Sequence, residues 1–291
     1  MTTRRDTILL EVRGNLVETK SGKLSCADRA GAEFWEDWWK RTPLPSPFDP
    51  YRPGLKNYVV RRFHHTFELL FEGYDTSSME LAEVGCAQSV YLPYFAKQFG
   101  FKVCGIDRSE MGCDRARAIL EREGVKGEVY CGDFFSLPPH LTARFDVVVS
   151  FGVVEHFEPA AEAVRAMVRL LRPEGRMFTN IPNLTGILRC QKLFDRDIYD
   201  AHVALTREGL ASAHRDAGLE VESCDYFLPV SLNVFNLERW PRHFLYWLAT
   251  RSFTALSRAV WLVDENVFRL PQNRWTSPYI SCVGRKPGAK G

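Results

Sequence analysis

The stretch Glu80-Leu81-Ala82-Glu83-Val84-Gly85-Cys86-Ala87-Gln88-Ser89, followed by helical spacing over 90–99, decides the fold. The run ELAEVG is short and apolar, and it ends on a glycine with a second small residue, Ala87, two positions on. A strand that passes through such a turn directly into a helix is the opening unit of a parallel sheet covered on both faces. At the carboxyl end of that strand, backbone N–H groups and the helix N-terminus are able to approach a ligand. Taken alone, Gly85 and Ala87 are also ordinary turn chemistry. The weight falls on what repeats downstream.

Four more short apolar runs follow: KVCGID (102–107), EVYCGD (128–133), FDVVVSF (145–151) and RMFTNIP (176–182). Helical stretches at 109–123 and 159–171 separate them. A later helix at 206–218 has Thr206 as its N-cap and Gly218 just past its end, and two further strands are expected at 219–228 and 278–286. The pattern predicts an α/β fold, a doubly wound Rossmann-like seven-stranded sheet with an N-terminal extension and a helical cap inserted before the last strand. The expected units are 1–74 (extension and cover helices), 75–228 with 277–287 (the sheet domain) and 229–276 (an aromatic-rich insertion). Within the extension, 7–26 reads as a small hairpin around Gly14-Asn15, 32–40 as a short aromatic helix and 55–71 as a longer one. Five prolines between 43 and 53 impose an extended connection between those helices.

The strand ends carry acids. Asp107 closes the second strand, where a carboxylate can accept hydrogen bonds from both hydroxyls of a ribose; Ser109 is available to cap the next helix instead. The third strand ends Gly132-Asp133-Phe134, a carboxylate for an amino group and a ring for a base. The fourth continues into Gly152-Val153-Val154-Glu155-His156, and Leu171-Arg172-Pro173-Glu174-Gly175 turns into the fifth. This ordered set resembles the class I S-adenosylmethionine-dependent methyltransferases over roughly residues 75–230. The resemblance implies S-adenosylmethionine as cofactor. It assigns to cofactor binding Glu83, Gly85 and Ala87 of the first motif, Asp107 with Arg108, the pair Asp133 and Phe134, and Phe151. It also implies direct displacement of a methyl from a sulfonium. The loop departs from the three-glycine form, since Ala87 and Ser89 narrow it; an alanine there requires a negative φ, and Ser89 can cap the following helix. A nicotinamide-binding domain would need a third glycine where Val90 stands.

Composition narrows the partners. The chain has 291 residues, 45% of them hydrophobic, and Lys+Arg 38 against Asp+Glu 36, a balance that gives no reason to expect nucleic acid. Its eight cysteines form no CxxC pair, so no metal site is expected and reduced thiols in a cytoplasmic setting are. The opening MTTRRDTILLEV lacks the apolar core of a signal peptide. Residues 244–263 are broken by Arg251 and Arg258, which suits an amphipathic, surface-seeking helix rather than a spanning one.

His156, just past the fourth strand, and His202, in the insertion after the fifth, are the candidate catalytic bases. His64 and His65 read as core-edge or surface residues. Segments 30–72, 183–205 and 229–276 should cover the acceptor; they hold Trp35, Trp38, Trp39, Tyr199, Phe235, Trp240, Trp247 and Trp261. The expected acceptor is a small hydrophobic organic molecule. A lipid-like acceptor at a membrane surface and a non-catalytic cofactor-binding protein stand as the alternatives.

Overall fold

The computed structural model describes residues 17–18, 24–25, 27–237 and 244–288. Seven strands form one sheet: β1 (Glu80–Val84), β2 (Lys102–Asp107), β3 (Gly127–Cys131), β4 (Phe145–Phe151), β5 (Leu171–Pro182), β6 (Glu220–Phe227) and β7 (Tyr279–Arg285). Their spatial order is β6-β7-β5-β4-β1-β2-β3. Neighbours among β1 to β5 pair parallel, and β7 runs antiparallel between β5 and β6. The order reverses between β1 and β4. There the connections leave towards opposite edges and a crevice opens at the carboxyl ends of both strands. β4 is buried along its length except at Phe151, as a strand covered on both faces must be.

The helices are α1 (Ala32–Arg41), α2 (Tyr58–Leu70), α3 (Tyr91–Phe99), α4 (Glu110–Arg122), α5 (Ala160–Val168), α6 (Arg207–Asp216) and α7 (Phe244–Asn266). Local chemistry sets several starts. Ser109 Oγ accepts from the Gly112 N–H at 2.9 Å and Thr206 Oγ1 from Gly209 at 3.0 Å, caps that contribute about 1 kcal/mol each. α2 lays Phe67 against Phe95 of α3 and Phe178 of β5, with ring centroids 4.9 and 5.2 Å apart. His64 is buried there beside the Tyr94 hydroxyl at 2.7 Å, while His65 is exposed.

Two expectations need correcting. The Leu171–Gly175 stretch belongs to β5: its pairing with β4 slips between Leu171 and Arg176, and Glu174 takes a φ of 66°, so the apparent turn is absorbed as a bulge. Within 7–26, Val17–Glu18 pairs antiparallel with Leu24–Ser25, and Gly14-Asn15 lie outside the described residues. The insertion before β7 does not lie over the crevice as a whole. Its helix α7 packs on α2, where Trp261 stacks on Tyr58 at 5.1 Å, the Tyr58 hydroxyl donates to Asp264 at 2.8 Å and Arg61 pairs with Glu265 at 2.7 Å. None of the described helices is long and apolar enough to cross a membrane.

One contact has no counterpart in the pattern of the sequence. Ala27–Asp28 pairs antiparallel with Phe157–Glu158, directly after the β4 exit, and Arg29 forms an ion pair with Glu158. This ribbon ties the N-terminal extension to the rim of the crevice and sets α1 over it.

Candidate active site

The loop leaving β1 is shaped by backbone geometry. Gly85 adopts a φ of 81°, and a Cβ there would lie 2.3 Å from Val153 Cγ2, so a side chain is excluded by both conformation and space. Ala87 and Ser89 keep negative φ, and the second left-handed residue of the loop is Gln88, at 55°. The Ala87 methyl is accommodated by α4: a Cβ on Gly112 would come within 2.6 Å of it. The Ser89 hydroxyl accepts from the N–H groups of Tyr91 and Leu92 at 3.0 and 3.3 Å, capping α3. It also donates to Glu83, a buried carboxyl that desolvation pushes up to about 8.

Asp107, at the tip of β2, holds this loop. Its two oxygens accept from the N–H of Ala87 at 3.0 Å and of Ser109 at 2.9 Å. A carboxylate oxygen has two lone-pair positions, so both keep acceptor capacity beyond these bonds. Arg108 pairs with Asp28 of the N-terminal ribbon. Asp133 is exposed and accepts the Phe135 N–H at 2.9 Å, leaving Phe134 packed beside Phe135, with centroids at 4.4 Å. Phe151 stacks on Tyr91 at 3.9 Å, the ring planes nearly parallel.

All eight residues assigned to the cofactor line one cavity of about 440 Å³, within the ~300–1,000 Å³ common for small-molecule sites. Asp28, Trp35, Trp39 and Pro45 line it as well. These come from the extension, which the sequence pattern assigned only to the acceptor. The signal was present as the aromatic helix at 32–40; its position over the first loop was not.

A second cavity of about 410 Å³ adjoins the first and shares Trp35, Gly152 and His156 with it. Its apolar walls include Trp38, Leu184, Leu188, Ile198, Tyr199 and Val234. His202 lines this cavity, and its ring centroid lies 4.4 Å from that of His156. Trp35 meets His156 edge-on at 5.1 Å. Each imidazole is anchored through Nδ1, His156 to the Ala201 carbonyl at 2.9 Å and His202 to the Ile198 carbonyl. A carbonyl only accepts, so Nδ1 carries the hydrogen and Nε2 the lone pair. Burial lowers His156 to about 4 and lowers His202 as well, so both are neutral near pH 7. Of the other aromatic cover residues, Phe235 packs behind the wall against Phe194 and Phe253, Trp247 is exposed, Trp261 belongs to the α2–α7 contact, and Trp240 lies outside the described residues.

Glu155 was not singled out from the sequence. It is 1% exposed on the wall of the second cavity, neither carboxylate oxygen has a hydrogen-bond partner, and burial pushes the group up to about 8.

A parallel sheet with an antiparallel seventh strand, a nucleoside-sized crevice at the β1–β4 reversal and acids at the tips of β1, β2 and β3 define a class I methyltransferase. Comparison with known proteins agrees. A methyltransferase-domain family profile matches residues 82–179. The chain is similar to the ubiquinone biosynthesis O-methyltransferase of Pseudomonas putida (strain F1), 24% identical over 212 residues that make up 68% of this chain and 86% of that protein. The corresponding enzyme of Pseudomonas paraeruginosa is 25% identical over 194 residues, 64% of this chain and 78% of that one. Among solved structures, geranyl diphosphate C-methyltransferase from Streptomyces coelicolor, in complex with Mg2+, geranyl diphosphate and S-adenosyl-L-homocysteine, superposes with a TM-score of 0.58. It is 12% identical and the match covers 88% of this chain and 97% of that one, which shows a shared fold. These findings support a class I S-adenosylmethionine-dependent methyltransferase.

Proposed function

We propose that the chain transfers a methyl group from S-adenosylmethionine to an oxygen of a small, mainly apolar, ring-bearing acceptor. The observation that carries this reading is the junction of the two cavities: Trp35, Gly152 and His156 belong to both walls. A donor in the first cavity therefore faces an acceptor in the second across a gap lined by one indole and one imidazole. The first cavity fits the donor's nucleoside, because Asp107 keeps free lone pairs at the β2 tip and Gly85 leaves the loop open there. The donor, when bound, supplies a methyl on a sulfonium, which is already a good leaving group. What remains for the protein is alignment and exclusion of water. Trp35, Trp39 and Pro45 close the top of the donor cavity, and the apolar walls of the second exclude water from the acceptor. His156 presents a neutral Nε2 lone pair at the junction, able to accept a hydrogen bond from an acceptor hydroxyl. Oxygen as the accepting atom is favoured by this neutral acceptor group and by the O-methyltransferase relatives.

The test is transfer of radiolabelled methyl from S-adenosylmethionine to a panel of phenols, catechols, amines and carboxylic acids of matched size. Phenolic or catecholic products are expected, and Leu188→Trp, which fills the second cavity, should abolish turnover with S-adenosylhomocysteine binding retained. Methylation confined to amines or carboxylates would refute the reading. A second reading, an acceptor with an apolar tail presented at a membrane surface, is favoured by the exposed Phe244, Leu245, Trp247 and Leu248 at the start of α7.

A further inference from the structure

We propose that Glu155, His156 and His202 form a binding site for one divalent transition-metal ion on the wall of the acceptor cavity. One ligand atom from each side chain lies within 4.8 Å of the other two. Ligand atoms sharing one ion at about 2.1 Å stand roughly 3–4 Å apart, so small side-chain rotations complete the set. The three come from two places in the chain, the turn after β4 and the segment following β5, and the backbone joins them: the Val203 N–H donates to the Glu155 carbonyl at 2.6 Å.

Three independent features point to a cation. The Glu155 carboxylate is 1% exposed and neither oxygen has a partner, a costly arrangement unless a positive charge or a proton meets it. Both imidazoles are tied through Nδ1 to backbone carbonyls, which fixes the tautomer with Nε2 bare, the outer arrangement that metal-ligating histidines ordinarily have. All three residues line the same cavity, so an ion held by them keeps coordination positions open towards the acceptor. Two imidazoles and one carboxylate suit zinc, manganese, iron or cobalt better than magnesium, which prefers oxygen ligands.

The use of the ion rests on the hydroxyl-acceptor reading above; with the ion bound, the His156 Nε2 lone pair is taken by it and the acceptor oxygen meets the ion in place of that hydrogen bond. An acceptor with one hydroxyl, or two vicinal ones, would bind the open positions and lose a proton to solvent more readily. Its oxygen then bonds to the methyl carbon as the carbon–sulfur bond breaks, and that electron pair returns to sulfur.

Cobalt(II) is the probe. The full chain, stripped with EDTA, is titrated with CoCl2 and followed by visible absorption and calorimetry. One equivalent should bind with ligand-field bands. Glu155→Gln and His202→Gln should each weaken binding at least about tenfold, the loss that outer-shell partners alone can carry. His65→Ala, on the exposed face of α2, should leave binding unchanged. Unaltered S-adenosylhomocysteine affinity and circular dichroism show that each variant is folded. No stoichiometric binding in the folded parent, or binding unmoved by both substitutions, would overturn the site. Cobalt bound by a chain that methylates no hydroxyl leaves the site standing and removes only the acceptor reading.

Discussion

Asp107 shows how one side chain serves two roles. Its carboxylate accepts the amide hydrogens of Ala87 and Ser109, so it orders the first loop, and the residue also lines the first cavity, where a ribose is proposed to bind. Asp107→Ala should weaken S-adenosylhomocysteine binding roughly ten- to a hundredfold, since hydrogen bonds to a charged group contribute about 1.5–3 kcal/mol. Calorimetry gives the dissociation constant directly, and an unchanged value would place the ribose elsewhere. Glu83 makes a pH-dependent prediction. Burial, reinforced by the negative charge of Asp107 and opposed by the Ser89 hydroxyl, raises its carboxyl from 4.5 to about 8. The folded chain therefore holds this proton more tightly than the unfolded chain does. Its contribution to stability is complete below the unfolded value and declines as pH rises to about 8, with a slope approaching about 1.4 kcal/mol per unit. Glu83→Gln should flatten that part of the profile, as read from urea midpoints across the range. A slope identical in parent and variant would mean Glu83 is already ionised in the fold.

At the scale of elements, the altered glycine loop is matched by a change in the helix beside it. Ala87 stands where a glycine is common in the resembling family, and Gly112 of α4 leaves the room its methyl needs. Gly112→Ala should then destabilise the chain by about 1–3 kcal/mol through overpacking and reduce S-adenosylhomocysteine affinity. Ala87→Gly added to it should recover most of the loss, because two residues in contact are coupled. Strictly additive effects in thermal melts would show that the two positions do not compete for space. The loop motif was legible in the sequence as Gly85 and Ala87 after a β-rich run. Its fit to Gly112 was not, because the pairing crosses from one β–α unit to the next.

For the molecule as a whole, Trp261 anchors α7 on α2 away from both cavities, while Phe253 of α7 backs the wall of the second. Trp261 is 4% exposed, stacks on Tyr58 and donates from Nε1 to the Val230 carbonyl at 2.7 Å, and it touches neither cavity. Trp261→Ala should cost about 3–5 kcal/mol in denaturant unfolding with S-adenosylhomocysteine affinity retained. A parallel fall in affinity would show that α7 supports the donor site after all. Strand and helix alternation and the acids at strand ends were determined by the sequence itself, because hydrophobic period and turn chemistry are local and each βαβ step has one permitted hand. The seven strands could be placed on that basis, and the eight residues that the resemblance assigned to the cofactor line one cavity. The assembly of the acceptor wall was decided by tertiary structure. The ribbon of Ala27–Asp28 on Phe157–Glu158 brings α1 over the crevice, the Val203–Glu155 hydrogen bond brings His202 to His156, and α7 turns away onto α2. Such contacts join segments far apart in the chain through shape and burial, and neither leaves a period or a motif in the residues that make it.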